Sequence, residues 1–269
     1  MLRAGAGLAV TGVPGAAAAC ACAGCGAGGA AAGHRAAVAR DTARTAPASA
    51  AAPTAAHAPR AAPAPRRFPG QPGQIGHGPR DRARVALTFH GQGDPAVARA
   101  LLGTAERHGA RVTVLAVGGW LDEHPELARR IVDAGHDLGN HTQRHLDVNA
   151  MSEAEADAEI RGCAERLRRL TGSIGTWFRP SRAVRASPLV ERLAHRAGYP
   201  HVLSYDVDSL DFTSPGAPAI TRKVIGEIRD GSVVSLHFGY ADTVTALPAV
   251  LEALDRRGLR AVTTTELLS

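Results

Sequence analysis

The sequence predicts an α/β fold in which helices cover a parallel sheet, and three features support this class. From residue 84 onward, short apolar runs alternate with longer segments of helical period. The links between these segments are short, and Gly135, Gly198 and Gly258 each follow a predicted helix, where glycine is typical. About seven β–α steps of this kind indicate parallel strands with covering helices. The periodicity leaves two architectures open, a small irregular barrel and an open doubly wound sheet.

Each element of this pattern has a local reason in the sequence. Apolar runs predict strands over residues 84–90, 111–117, 136–140, 176–178, 201–207, 232–236 and 260–264. Amphipathic segments predict helices over residues 95–109, 125–134, 152–170, 187–197, 217–229 and 244–257. Proline at residue 95 is typical of a first helical position. Ser152 is a predicted N-cap, and acidic residues fill the first turn that follows it.

Residues 1–80 differ in composition from the rest of the chain. Residues 1–80 are mainly Ala, Gly, Pro and Arg, with few large apolar side chains. Such a segment buries too little apolar surface to offset its ordering entropy. We therefore predict a disordered Ala/Pro/Arg-rich linker over residues 26–80 and a folded domain over residues 81–269.

Residues 1–25 resemble an export signal. A short basic start is followed by a mildly apolar stretch and then by small residues that end at Cys20. The segment AAAC at residues 17–20 is similar to the site of lipid attachment in bacterial lipoproteins, although it lacks the usual leucine. No apolar run reaches the ~20 residues needed to span a bilayer. The sequence thus predicts export, with membrane contact only through a lipid on Cys20.

The positive charge of the chain belongs to its N-terminal part. Residues 1–80 contain eight arginines and one acidic residue, whereas residues 81–269 contain 23 basic and 24 acidic residues. A nucleic-acid-binding protein is expected to carry its basic patch on the folded domain. The composition therefore argues against a nucleic-acid partner.

Polar side chains with catalytic or ligand chemistry follow most of the predicted strands. Because the carboxyl ends of parallel strands meet at one edge, these side chains are expected to lie close together. They are His90, Asp94, His141, His145, Arg179, Asp206, Asp208, Asp211 and His237. Five strand ends that deliver His, Asp or Arg to one rim indicate a metal site or an acid–base site.

His141 and His145 are the candidate metal ligands of this set. They are four residues apart, so a single helical turn would place both imidazoles on one side. Two surface histidines on a turn would give the same spacing. With a carboxylate from a neighbouring strand end, the pair predicts a two-His-one-carboxylate site with open positions for water and substrate.

His237 is a candidate general acid. A neighbouring carboxylate, such as Asp208 or Asp211, would orient its ring and raise its pKa. A histidine at this point could also be a core residue whose hydrogen bonds are satisfied. Arg179 has two interpretations as well, since it could hold a carboxylate in place or bridge two strands.

Four motifs in this order resemble the polysaccharide deacetylases, carbohydrate esterases of family 4 with a NodB homology domain. The chain has HTQRH at residues 141–145, which matches H-[ST]-x-x-H. FRP at 178–180 and SLH at 235–237 match the third and fifth motifs of the family. DSLDF at 208–212 matches the fourth, D-x-x-D-W, with Phe in place of Trp. The resemblance covers nearly all of residues 84–269.

The resemblance implies a distorted (β/α)7 barrel and a divalent metal, usually zinc, held by two His and one Asp. It also implies a hydrolase that removes N-acetyl, sometimes O-acetyl, groups from sugar polymers such as peptidoglycan or a chitin-like glycan. In the family, a water activated by the metal attacks the acetyl carbonyl. One Asp takes its proton, and the histidine of the fifth motif, here His237, protonates the departing amine.

The first motif departs from the family pattern. The family has T-F-D-D-G-P, in which the first Asp is the base and the second a metal ligand, whereas this chain has TFHGQGDP at residues 88–95. We expect Asp94 to be either the third ligand or the base. His90, in the place of the first Asp, is a candidate base or fourth ligand. In the third motif, Ser181 and Arg182 replace the usual Pro-Tyr, which predicts a different substrate groove.

Three functions remain open from the sequence. The first is an exported, metal-dependent deacetylase of an acetylated polysaccharide, with a monomer as the favoured oligomeric state. The second is a non-catalytic carbohydrate-binding relative that has lost its Asp base. The third is a metal-dependent esterase or amidase on small acyl substrates, because two Trp and three Tyr offer few surfaces for sugar stacking.

Overall fold

Short parallel strands form an inner wall that helices cover from outside. The computed structural model describes residues 61–269, and the predictions for residues 1–60 lie outside this range. Its strands are β1 (Gln74–Ile75), β2 (Arg84–Gly91), β3 (Thr113–Ala116), β4 (Asp137–Asn140), β5 (Val202–Leu203), β6 (Val207–Asp208), β7 (Val233–His237) and β8 (Arg260–Ala261). Its helices are α1 (Pro95–Arg107), α2 (Gly118–Glu123), α3 (Pro125–Asp133), α4 (Glu153–Thr171), α5 (Pro188–Ala197), α6 (Ala217–Glu227), α7 (Ala241–Arg256) and α8 (Thr264–Leu267).

The strands curve into an irregular barrel. Neighbours in the main sheet follow the order β4-β3-β2-β7-β6, and β8 pairs with the start of β2. Single parallel bridges then lead from Asn140 to Phe178 and from Phe178 to Val202, which extends the wall from β4 to β5. This arrangement confirms the predicted α/β class and decides between the two architectures, in favour of the barrel.

The N-terminal boundary of the domain was predicted wrongly. Strand β1 pairs in parallel with β5, and His77 forms a bridge with Ser232 directly before β7. Phe68 is buried and its ring stacks on Trp177 at a centroid distance of 5.4 Å. The folded unit therefore includes residues before 81, because Phe68, strand β1 and His77 all contact the barrel. The large apolar side chains of this segment, Phe68 and Ile75, are both buried in the core cluster at the floor of the barrel.

Most of the predicted strands are shorter in the structure, and three differ most. The 176–178 segment forms bridges only through Phe178, and the 201–207 segment is interrupted between β5 and β6. The last strand ends at Ala261, because Thr263 caps α8. The helices follow the predictions more closely, and Ser152 forms the predicted cap of α4 as a full capping box with Glu155.

Alternation along β2 and β7 divides each strand into an outward and an inward row. On β2, the outward Val85, Leu87 and Phe89 join the main core beneath the helices. Ala86, which points inward, joins a separate core that fills the floor of the barrel. The inward row of β2 then continues through Thr88 to reach the rim at His90. A polar rim thus stands on an apolar floor.

The helices described here show no membrane-spanning candidate. In residues 61–269, no helix combines the length and the hydropathy that crossing a bilayer requires.

Candidate metal centre and active site

The register between β2 and β7 builds the site in layers. Ala86 lies opposite Val233 at the floor, Thr88 opposite Ser235 one layer higher, and His90 opposite His237 at the rim. The layers change from apolar through hydroxyl to imidazole, following the inward positions of both strands. Parallel strands carry this order to their carboxyl ends, so the chemistry collects at one end of the barrel.

Three histidines meet at this rim. His90, His141 and His145 each offer a ring nitrogen, and these three atoms all lie within 4.8 Å of one another. The ring centroids are 4.4 Å apart for His90 and His141, and 4.9 Å apart for His141 and His145. Neutral imidazoles at this spacing are typical ligands of zinc and of other first-row divalent metals.

His141 has the orientation of a metal ligand. Its Nδ1 lies 3.0 Å from the carbonyl oxygen of Arg179, which fixes the ring and places the proton on Nδ1. Its Nε2 is buried and has no hydrogen-bond partner among the described residues. Burial also lowers the pKa of His141 well below its usual value, so the lone pair stays free. A buried, unpaired nitrogen beside two other imidazoles fits a divalent cation.

The second motif reaches this geometry without a helix, contrary to the prediction of a helical turn. Thr142 and His145 have φ values of 68° and 56°, in the left-handed region. The Thr142 N–H donates to Asn140 Oδ1 at 2.8 Å, and its hydroxyl donates to Ser181. These bonds hold a turn that is otherwise costly for a β-branched residue. Burial lowers the pKa of His145 to about 4, so it is neutral as well.

Asp94 is not part of this group, so the expectation of a third ligand or base at this position is not met. Its side chain is exposed and accepts the Ala96 N–H at 2.8 Å as the N-cap of α1. Asp before a proline that opens a helix is a strong capping pattern. Local capping therefore explains this residue, and His90 stands in the cluster instead.

Arg179 lies directly beneath His90. It is fully buried and donates through Nη1 to Thr88 Oγ1 at 2.9 Å, and through Nε and Nη2 to the carbonyls of Leu203 and Ser204. The same Nη1 lies 3.2 Å from His90 Nε2. Burial lowers the pKa of Arg179 to about 10, which still leaves it charged. Of the two earlier interpretations, the bridge between strands agrees with these contacts, because none of the hydrogen bonds of Arg179 goes to a carboxylate.

The contact with Arg179 determines which ring nitrogen of His90 carries the proton. A guanidinium can only donate, so His90 Nε2 accepts and the proton of the neutral ring resides on Nδ1. Ser235 Oγ, 3.3 Å from the same nitrogen, offers an alternative partner that can accept a hydrogen bond from a protonated Nε2. His90 can therefore release Nδ1 as a ligand only by exchanging Arg179 for Ser235. This makes His141 and His145 the stronger ligands and His90 the weaker third.

Beside His90 the rim holds a fully bonded His–Asp pair, and the ring centroids of His90 and His237 are 4.3 Å apart. Asp211 is buried, and its Oδ1 lies 2.6 Å from His237 Nδ1. Its Oδ2 accepts the His237 backbone N–H at 2.8 Å and the Thr243 hydroxyl at 2.7 Å. His237 therefore holds a proton on Nδ1 and presents Nε2 to the cavity. Of the two carboxylates considered for this task, the geometry selects Asp211.

The rim encloses a cavity of about 420 Å³. Its lining residues are His90, His145, Arg182, Ala183, Val184, Tyr205, Asp208, Phe212, His237 and Tyr240. Val184 and Phe212 are among the most exposed large apolar residues of the described chain, at 47% and 45%. Apolar surface beside these polar side chains suits the faces of sugar rings and an acetyl methyl group.

Other carboxylates and hydroxyls near the motifs have structural roles. Asp206 pairs with Arg80 at 2.7 Å and accepts the Val233 N–H, so it fixes the start of β7 away from the rim. Sequence inspection missed Thr243 and Ser235, which bond to Asp211 and His90. A hydroxyl at an inward strand position was the available signal for Ser235. Thr243 lies on α7, and no motif indicates its contact.

Known proteins share this sequence pattern and fold. The family described as polysaccharide deacetylase matches residues 77–202. A peptidoglycan-N-acetylglucosamine deacetylase of Bacillus cereus is 30% identical over 194 residues, which are 71% of this chain and 90% of that protein. A chitooligosaccharide deacetylase of a Bradyrhizobium species is 30% identical over 197 residues, which are 65% of this chain and 85% of that protein.

A solved structure shares the fold. The crystal structure of a CE4 family pseudoenzyme from Bacillus anthracis matches with a TM-score of 0.70 and 24% identity, covering 74% of this chain and 70% of that chain. At that identity the likeness shows the fold alone. It is consistent with the irregular (β/α) barrel described above.

Proposed function

This chain belongs to the polysaccharide deacetylase family of carbon–nitrogen hydrolases, and we propose that it removes N-acetyl groups from a carbohydrate polymer. Peptidoglycan and chitin-like glycans are the proposed polymers, since the relatives at 30% identity are named for these substrates. The rim offers the groups that amide hydrolysis requires: a ligand cluster, a proton donor and a cavity open to solvent.

One observation carries the proposal: the buried Nε2 of His141, which has no partner among the described residues. An unsatisfied buried acceptor costs about 1–3 kcal/mol, and a cation would satisfy it. His141, His145 and His90 would hold the metal, and we propose zinc because all three donors are imidazole nitrogens. When bound, such a metal would polarise the acetyl carbonyl and lower the pKa of a water molecule.

The residues of this chain then divide the remaining work. His237, held through Nδ1 by Asp211, presents Nε2 to the cavity and would protonate the departing amine. Asp211 keeps the ring in that orientation and balances its charge in the protonated form. Phe212, Tyr205 and Tyr240 would position the sugar.

A non-catalytic carbohydrate-binding protein is the second candidate, and one observation favours it. The first motif places no carboxylate in the cavity, because Asp94 caps α1 and His90 accepts a hydrogen bond from Arg179. A chain that lacks its base would keep the groove and the metal but release no acetate.

Acetate release separates the two functions. The full chain, loaded with Zn²⁺ or with Co²⁺, is incubated with hexa-N-acetylchitohexaose, with N-acetylated peptidoglycan and with a small acetyl ester. Release from the glycans above that of a His237→Ala variant supports the deacetylase. Binding of the glycans without release supports the second candidate, and release from the ester alone would point to a small acyl substrate.

We also propose that the protein acts outside the cytoplasm as a monomer. Residues 1–25 have the composition of an export signal, and Cys20 is the residue that a lipid would modify. The relatives named for peptidoglycan act on a polymer of the cell wall. Fractionation of cells that express the full chain and a Cys20→Ala variant tests this, because loss of lipid should move the protein from membrane to soluble fractions.

A further inference from the structure

We propose that Asp208 is the general base of this site, an inference that rests on the proposed deacetylase function. The starting point is the cavity lining, in which Asp208 is the one carboxylate among the described residues. The first motif, by contrast, presents His90 at the rim and turns Asp94 to the surface. A base has therefore to come from another strand, and β6 carries one.

The other carboxylates close to the motifs are committed elsewhere. Both oxygens of Asp211 accept hydrogen bonds, from His237 and from Thr243. Asp94 accepts the Ala96 N–H as a helix cap, and Asp206 is bonded to Arg80 and Val233. His90 is also a poor candidate, because its Nε2 accepts a hydrogen bond from Arg179 and its ring belongs to the histidine cluster.

The strand register directs Asp208 to the interior. Asp208 on β6 lies opposite Ser235 on β7, and Ser235 lies opposite Thr88 on β2. Register partners in a parallel sheet project to the same face. The hydroxyl of Ser235 points inward, to within 3.3 Å of His90 Nε2, and that of Thr88 bonds Arg179. Asp208 therefore extends the same inward layer, one strand further along the wall.

Two features hold the Asp208 carboxylate in this place. Its Oδ1 accepts the Leu210 N–H at 3.1 Å, which fixes the side chain, and its Oδ2 has no hydrogen-bond partner among residues 61–269. Its negative charge also acts on the buried Arg179, whose hydrogen-bond acceptors are otherwise neutral groups. Arg179 thus has a carboxylate within electrostatic reach from β6, where the family pattern supplies one from the first motif.

The proposed step balances in protons and electrons. Asp208, as the carboxylate, takes one proton from water while the water oxygen bonds to the acetyl carbon. The carbon–nitrogen bond then breaks, and its electron pair stays on the nitrogen, which receives a proton from protonated His237. The products are a free amine and acetic acid, and solvent exchange returns Asp208 and His237 to their starting forms.

The test compares Asp208→Asn and Asp208→Glu with wild type in the full, metal-loaded chain. A surface control, Asp255→Asn, makes the same carboxylate-to-amide change on exposed α7. Acetate release from hexa-N-acetylchitohexaose gives kcat and KM across pH, and elemental analysis gives the metal content. We expect kcat of Asp208→Asn to fall by about 10²–10⁴-fold, with KM and metal content close to wild type. Asp208→Glu should keep part of the activity, with a shifted acidic limb of the pH profile.

Three results would overturn the assignment. Activity of Asp208→Asn within about threefold of wild type would exclude a base, and loss of metal in this variant would make Asp208 a ligand. If Asp208→Asn does not fold, an unshifted pH profile in Asp208→Glu would count against the proposal. Absence of acetate release by wild type would instead overturn the proposed deacetylase function and this inference with it.

Discussion

The two sides of the cavity were built in different ways. The acid side, made of His237, Asp211 and Thr243, has a carboxylate whose two oxygens accept three hydrogen bonds from named donors. The base side, made of His90 and Arg179, contains a buried cation whose hydrogen-bond acceptors are neutral. Both sides stand on the same pair of strands, with His90 directly opposite His237.

This difference shows that the acid side and the base side each need a carboxylate of their own. The acid side needs one carboxylate at a fixed distance from one imidazole, and here the loop after β6 meets that need. The base side needs a carboxylate near both Arg179 and the substrate, and the register allows this carboxylate to come from β6 as readily as from β2. A changed first motif therefore does not by itself remove the chemistry of the site.

Removal of the best-oriented ligand of the histidine cluster should have the largest effect. His141→Ala is expected to lose bound metal and to lower acetate release at least about 10³-fold, because its Nε2 is the best-oriented donor of the cluster. Elemental analysis and acetate release measure the two effects. His108→Ala, which removes an exposed imidazole at the other end of the barrel, serves as control, and full metal retention in His141→Ala would contradict the three-histidine site.

Disruption of the acid side should follow in size. His237→Ala is expected to lower kcat by about 10²–10⁴-fold, and Asp211→Asn by a smaller factor, because the amide still orients the ring but no longer balances its charge. A double-mutant cycle on kcat checks the coupling. Since Asp211 acts through His237, adding Asp211→Asn to His237→Ala should cost little more, and independent losses would show that the two residues act separately.

A carboxylate at position 90 would give the base side a bonded carboxylate like that of the acid side. In His90→Asp, a carboxylate would accept the hydrogen bond of Arg179 Nη1, now 3.2 Å from His90 Nε2, and would compensate the buried guanidinium. We expect acetate release to rise about tenfold. In this background Asp208→Asn should become tolerated, since the base has an alternative. An Asp208→Asn loss as large as in wild type would show that the two positions are not exchangeable.

Acid should destabilise the metal-free protein through the three histidines of the ligand cluster. In the metal-free protein the pKa of His145 is lowered to about 4, and those of His90 and His141 are also lowered, so all three are neutral when folded. In the unfolded chain they take up protons as the pH falls below about 6.5. The unfolded state then binds more protons, and the free energy of unfolding falls with pH, by about 1.4 kcal/mol per pH unit for each imidazole.

Urea unfolding of the metal-free full chain between pH 7.5 and 5 measures this dependence. His145→Gln removes one of the imidazoles and should make the slope shallower, whereas His108→Ala should leave it unchanged. An equal slope in wild type and His145→Gln would mean that the loss of stability arises outside the cluster.

Much of this architecture follows from local sequence patterns. The capping box at Ser152, the proline at residue 95 and the glycine after α5 mark helix ends through contacts within a few residues. The rim histidines were predictable because parallel strands place their carboxyl ends together. The His–Asp pair was predictable as a choice between Asp208 and Asp211, which the sequence alone left open.

What the sequence did not indicate depends on contacts between distant segments. Asp94 has the residue type and position of a ligand, yet local capping of α1 determines its direction. The turn around Thr142 is left-handed because Asn140 and Ser181 bond to it, and Ser181 lies in another motif. Phe68 belongs to the fold because Trp177 leaves room for its ring. Composition alone assigned that segment to the linker.

Strand β1 also has a consequence for the order of folding. It pairs with β5, with Gln74 opposite Val202, so this pairing cannot form until the segment around residue 202 is present. Chains are synthesised from the N-terminus, and pairings this distant in sequence form late and slowly. The wall of the barrel therefore closes only after most of the domain exists, and until then the floor and the rim are open to the same solvent.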